Sequence, residues 1–224
     1  MTIGVIGGMS PETTSAFYLR LIELSRKYRC SYPHIIIDSV PLDFSIEDEM
    51  IIRAENQKRL LPFLAESVKR LQNTDLIVIP CNTAHIFFKD LRERSKVPVV
   101  SIVEEVTKKI KLCGYRKIGL LATSSTAKSG IYSYSEIEFL YPEKKDQTRL
   151  SEIIVKIVRN NPDKADKEEL QRIAQTLRER CDAILLACTD LQAVLKGDYL
   201  DSFEILVNSV FEKFGGVENG KTVI

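Results

Sequence analysis

The 224-residue sequence contains two histidines and five cysteines, and none of the cysteines forms a CxxC pair. An odd cysteine count without paired spacing argues against a disulfide framework and against a dithiol redox motif, so free thiols in a reducing cytoplasm are the simplest reading. Neither sign of charge is in excess. Lys and Arg total 32 against 31 for Asp and Glu, with no long single-sign block, which removes the usual footprint for nucleic acid or an anionic membrane. No apolar run is long enough to span a bilayer. Met1 to Gly8 starts as a strand pattern without a basic leader, so no signal peptide is expected. There is no GxSxG elbow and no GxxxxGK[ST] loop; the N-terminal glycine turn lacks full GxGxxG spacing, and no lysine stands out as a pyridoxal anchor. The expected partner is a small molecule, with no nucleic acid, no membrane, no metal and no cofactor.

What is present is an alternation of two periods. Thr2–Ile6, His34–Val40, Leu76–Pro80, Pro98–Ser101, Lys117–Ala122 and Ala183–Ala187 read as buried strands. Pro11–Tyr28, Glu47–Leu71, Thr83–Arg94, Glu104–Leu112, Glu143–Arg159 and Lys164–Arg180 carry apolar residues at helical spacing. The pattern predicts an α/β protein with parallel strands, whose function should lie at the strand-to-helix turns.

The chain also resembles itself. Asp75 to Cys81 and Asp182 to Cys188 share an Asp, a buried strand and a Cys at the strand's end, and the run from Ile3 to Ser10 is echoed by Ile118 to Ser125. Two pseudo-symmetric α/β domains follow, each a parallel sheet flanked by helices, with a site in the cleft between them. The expected division assigns 1–98 plus 203–224 to the first and 99–202 to the second. The tail from Gly215 to Gly220 reads as frayed.

Strand ends of the two halves that face each other bring Cys81 and Cys188 together. A helix starting at Asn82-Thr83 would direct its backbone N–H groups toward Cys81 and lower its pKa toward neutrality, leaving one thiolate and one thiol at rest. Such a pair suits removal of a proton from one face of a carbon and delivery to the other. The weak acidity of an amino acid's α-proton then requires donors for the α-carboxylate. The turns Gly7 to Ser10, Asn82-Thr83, Thr123 to Thr126 and Thr189 offer hydroxyl and backbone donors, although Ser10 and Thr83 can equally be helix N-caps. Cys30, Cys113 and Cys181 read as small buried hydrophobes, and His34 as structural. Cys81, His85 and Cys188 could suggest a metal, but a fourth ligand is not evident.

The segments Gly7-Gly8-Met9-Ser10-Pro11-Glu12-Thr13-Thr14, Pro80-Cys81-Asn82-Thr83-Ala84-His85 and Ala187-Cys188-Thr189-Asp190-Leu191 resemble, in order and over nearly the whole chain, the signatures of the aspartate/glutamate racemase family, most closely its aspartate racemase branch. The resemblance implies a pyridoxal-independent amino-acid racemase, commonly a homodimer, with Cys81 and Cys188 as its two bases. It implies substrate-carboxylate contacts at Met9, Ser10, Asn82, Thr83, Thr123, Thr126 and Thr189, and a role for Lys164 toward the substrate side chain. Aspartate is the implied substrate. One departure bears on it: where aspartate racemases tend to carry an arginine after the second strand, this chain has Phe44, which removes a bidentate carboxylate partner unless Arg53 reaches in. A broad-specificity racemase is therefore the alternative. A non-catalytic dicarboxylate-binding protein is a further one, though it would have no use for two matched thiols.

Overall fold

A computed structural model describes residues 1–215. The expected frayed tail, apart from Gly215, and the end of the expected first-domain return lie outside the described residues. In chain order the elements are β1 (Thr2–Gly7), α1 (Pro11–Tyr28), β2 (His34–Ser39), α2 (Phe44–Asp48), α3 (Leu61–Arg70), β3 (Leu76–Val78), α4 (Phe88–Arg94), β4 (Val99–Val100), α5 (Ile102–Leu112), β5 (Lys117–Leu121), α6 (Ser124–Ser129), β6 (Glu138–Leu140), α7 (Lys144–Val158), α8 (Lys164–Arg178), β7 (Ala183–Leu186), β8 (Leu200–Asp201) and α9 (Ser202–Lys213).

The strands form two wholly parallel sheets with the same order, β2-β1-β3-β4 and β6-β5-β7-β8. Parallel strands covered on both faces must be apolar throughout, which is why β3 and β7 read as unbroken Leu/Ile/Val/Ala runs. The two aspartates of the repeat have equivalent jobs. Asp75 accepts from the Thr2 N–H at the start of β1, and Asp182 accepts from Arg116 and Lys117 at the start of β5, so each pins its strand's register. With that register set, Cys81 and Cys188 emerge at the same height in their sheets.

One apolar cluster joins the halves: Ile3, Val5 and Val78 of the first sheet share it with Ile118, Leu120 and Leu185 of the second, together with Phe203, Leu206, Val210 and Phe211 of α9. α9 packs on α5 and α1, with Phe203 edge-on to Phe17 at 6.2 Å between ring centroids. Each such side chain removed from water contributes about 1.5–3 kcal/mol, so the interface between the halves is core.

Three sequence expectations differ from the structure. Val99–Val100 pairs with β3, so the first sheet takes its fourth strand from beyond the expected division at residues 98 and 99. β6 and β8, edge strands of three and two residues, are additional to the strands expected from sequence. The helix expected over Glu47–Leu71 is interrupted: α2 passes into a π-helical turn at Glu49–Arg53, Ala54 and Asn56 take left-handed backbone, and α3 begins only at Leu61, just before Pro62. A proline forces an extended or helix-start geometry on its neighbour and cannot sit inside the predicted helix. The interruption sets the π-helical turn against α6 and α7 of the other half.

Candidate active site

Gly8, immediately after β1, has φ +89°, and a Cβ there would stand 2.4 Å from the Val40 carbonyl oxygen, so only glycine allows β1 and β2 to end this closely. The chain then turns into α1, whose N-cap is Ser10 accepting from the Thr13 N–H. Thr123 caps α6 in the same way. The first turn after β3 runs Cys81-Asn82 into a 3-10 helix at Thr83–Phe87, and the turn after β7 carries Cys188-Thr189-Asp190.

These turns converge on one pocket. Met9, Cys81, Asn82, Thr83, Thr123, Cys188 and Thr189, all named from sequence, line it together with Asp190, and the interrupted segment closes it with Leu42, Glu47, Met50 and Ile51 against Ile154 and Val158 of α7. Thr126 stands behind the wall in a trio of hydroxyls, 3.0 Å from Thr83 and 3.1 Å from Thr123. Thr189 donates to the Pro80 carbonyl across the halves. Asn82 is tied on both sides: its amide donates to Ser202 at 2.9 Å and its carbonyl accepts from the buried Tyr132 hydroxyl at 2.5 Å. These bonds make Asn82 a cross-link between the halves as well as a pocket wall.

Two of the expected contacts are placed differently. Ser10 lies near the site but spends its hydroxyl on Asp190 at 2.5 Å, and Thr13 donates to the same oxygen at 2.7 Å. Lys164 is not brought to the pocket: it opens α8 with its side chain 91% exposed, 3.6 Å from Glu168. A lysine beside a proline-aspartate turn can mark a helix start as readily as a site, and here Asp163 and Asp166 form a capping box at that start. Arg53 is exposed and outside the pocket lining, and Phe44 is exposed on the outer rim, with the Arg159 guanidinium 5.4 Å above its ring.

The thiols are not poised as the turn geometry suggested. Cys81 is half-buried and Cys188 buried. Desolvation pushes the Cys81 thiol up to about 11, against the pull of the Ala84 and Thr83 N–H groups. Cys188 is raised well above the usual thiol value, first by burial and then by the negative charge of Asp190, to which its Sγ donates at 3.6 Å. The expected resting thiolate is thus replaced by two thiols, because a short 3-10 turn offers too little positive charge to offset burial. The partly buried Asp190 is itself raised by burial, despite the hydroxyls of Ser10 and Thr13. Asp190 and Glu47 are the residues of this site that sequence reasoning did not single out; an Asp two residues after a strand-end Cys was the available signal.

His85 does not serve as a ligand. Its Nδ1 meets the Cys81 carbonyl at 2.8 Å and its Nε2 accepts from the Ile102 N–H at 3.1 Å, which uses both nitrogens and sets the tautomer. Burial lowers its pKa to about 4, so it is a neutral strut between the Cys81 turn and α5.

A profile of the Asp/Glu/Hydantoin racemase family matches residues 6–210. The Broad specificity amino-acid racemase RacX of Bacillus subtilis (strain 168) is 31% identical over an alignment of 218 positions that covers 92% of this chain and 92% of its own. Among solved structures, an aspartate racemase homologue from Pyrococcus horikoshii OT3 superposes with a TM-score of 0.75 at 28% identity, covering 96% of this chain and 99% of its own. The Picrophilus torridus aspartate racemase does so with a TM-score of 0.79 at 25% identity, covering 96% and 94%.

Proposed function

The chain belongs to the Asp/Glu/hydantoin racemase family, and we propose that it is a cofactor-independent racemase in which Cys81 and Cys188 exchange the α-proton of an amino acid between its two faces. The observation that carries this reading is the shared pocket: two cysteines at equivalent strand ends, one from each sheet, with hydroxyls of both halves around them. Cys81 has the backbone N–H groups of Thr83 and Ala84 beside it, whereas Cys188 faces the carboxylate of Asp190, so Cys81 ionises first and acts as the base. Cys188, hydrogen-bonded to a carboxylate, keeps its proton and acts as the acid. The substrate's α-ammonium brings a positive charge into the pocket and favours the thiolate. Cys81 takes the proton from Cα, charge moves onto the α-carboxylate, and Cys188 returns a proton from the opposite face; the reverse reaction exchanges the roles. The Thr83 and Thr123 hydroxyls, free to rotate within their trio, are the donors for that carboxylate.

Aspartate, the substrate implied by the sequence resemblance, has less support than a broad range of non-acidic amino acids. A second carboxylate needs a cation, and among the described residues no Lys, Arg or His lines the inner pocket. Arg159, at the outer rim, is committed to Asp48 at 2.8 Å and to the ring of Phe44. The likeness to a broad-specificity racemase over 92% of both chains supports the same reading. Free thiols suit a reducing compartment such as the cytoplasm, and the family resemblance adds a homodimer, for which sedimentation should return twice the chain mass.

The test is exchange in D2O without added cofactor, following the Cα–H signal of L-leucine, L-lysine, L-aspartate and L-glutamate by NMR, with chiral chromatography of the products. Signal loss with inversion is expected for the non-acidic substrates. Absence of exchange with every amino acid would end the racemase reading.

A further inference from the structure

Glu47 occupies a place that proton transfer does not explain. It lies in α2, half-buried, and lines both the pocket that holds the thiols and the open cleft outside it, where Gly8, Glu12, Phe44 and Arg159 form the walls. It is one of three residues shared by the two cavities, with Leu42 and Val158, and so stands at the passage between them. No hydrogen bond or ion pair satisfies its carboxylate among the described residues: burial dominates its environment, Arg159 pulls at a distance, and Asp48, Asp190 and Glu12 repel. Buried polar groups ordinarily find a partner, so a half-buried carboxylate that faces a cavity and is free of protein donors is placed to accept from a ligand.

The route from the thiols to Glu47 is apolar, flanked by Leu42, Met50, Ile51, Ile154 and Val158. Among the described residues the carboxylates across both cavities are Glu12, Glu47 and Asp190, against the single cation Arg159, which is already paired with Asp48. A substrate whose Cα sits between the thiols therefore sends its side chain along an aliphatic wall toward an unpaired negative group. Resting on the racemase reading, we propose that Glu47 sets specificity, selecting α-amino acids with an aliphatic stem ending in a cation, the lysine class, and excluding dicarboxylates. The terminal ammonium donates to the Glu47 carboxylate, and the stem covers the apolar wall. An acidic side chain of similar length meets Glu47 instead and is repelled.

The test compares kcat/KM for L-lysine, for L-norleucine, which keeps the stem without the charge, and for L-glutamate, in the wild type and in Glu47→Gln, Glu47→Asp and Glu47→Lys. A charge-assisted hydrogen bond predicts a lysine-to-norleucine ratio of about 10 to 100 in the wild type, with glutamate the poorest substrate. In Glu47→Gln the ratio falls toward one, in Glu47→Asp part of it survives, and in Glu47→Lys glutamate overtakes lysine. A wild-type ratio at or below one overturns the proposal, as does a ratio unchanged in Glu47→Gln. Equal losses on all three substrates, total loss included, overturn it too, since Glu47 would then hold the α-ammonium common to every amino acid. These outcomes leave the racemase reading standing, whereas no turnover of any substrate by the wild type removes both.

Discussion

At the end of β3 the sulfur of Cys81 meets the backbone N–H groups of Thr83 and Ala84, whereas at the end of β7 the sulfur of Cys188 meets the carboxylate of Asp190. The strands have the same place in sheets of the same order, and each begins at an aspartate that caps its neighbour. Equivalent backbones thus deliver two chemically identical groups into unequal electrostatic company. A racemase reaction needs this combination: the geometry must be symmetric about the reacting carbon, while at any moment one group must lack a proton and the other hold one.

Removing either thiol should have the largest effect on catalysis. Cys81→Ala and Cys188→Ala are each expected to lower racemisation by about 10² to 10⁴-fold, while solvent exchange without inversion survives for one enantiomer, and for opposite enantiomers in the two variants. Deuterium incorporation into separate L and D substrates measures this. Two variants with wild-type turnover would show that the thiols are not the bases.

His85 marks a second asymmetry, because it braces the Cys81 carbonyl against α5. Its pKa is about 4 in the folded chain against 6.5 for an ordinary histidine, so the folded state holds it neutral while an unfolded chain protonates it. Its contribution is fully present above pH 6.5 and is lost as the pH falls from 6.5 toward 4, amounting to about 3 kcal/mol at the acid end. Urea unfolding of the wild type and His85→Gln at several pH values should show this component in the first and not in the second; parallel profiles would exclude it.

Asp190→Asn should make the surroundings of the two thiols more alike. Loss of the negative charge lowers both thiols, Cys188 more than Cys81, because Asp190 is the nearer neighbour of Cys188. Thiolate ultraviolet absorbance in alkaline titration follows the shift, read against Cys81→Ala and Cys188→Ala controls. The same substitution should move the rising alkaline limb of kcat/KM to lower pH. A Cys188 titration that does not move would mean that Asp190 is only a partner for Ser10 and Thr13.

Much of this was legible in the sequence because it depends on local pattern. The unbroken apolar runs announce buried parallel strands, the α1, α5, α7 and α8 stripes fall within two residues of their observed ends, and the Asp-to-Cys repeat marks equivalent strand ends. What could not be read lies where neighbours distant in sequence decide. The π-turn at Glu49–Arg53 sets Met50 into the apolar cluster of its own half and Ile51 into that of the other, so an apparent helix over Glu47–Leu71 is bent into a cover for the pocket. Ser10 faces Asp190 across 180 residues of chain, which no spacing rule reveals.

The sequence by itself determined the alternation of elements, the doubling of the fold and the identity of the paired cysteines, because periodicity and repetition are properties of a chain before it folds. Only the tertiary structure decided that both thiols rest protonated, that Lys164 stands outside the pocket and that Glu47 stands unpaired at its mouth. The reason is physical. Desolvation and charge depend on what surrounds a group in space, and that surrounding is assembled from both halves only when they close on each other.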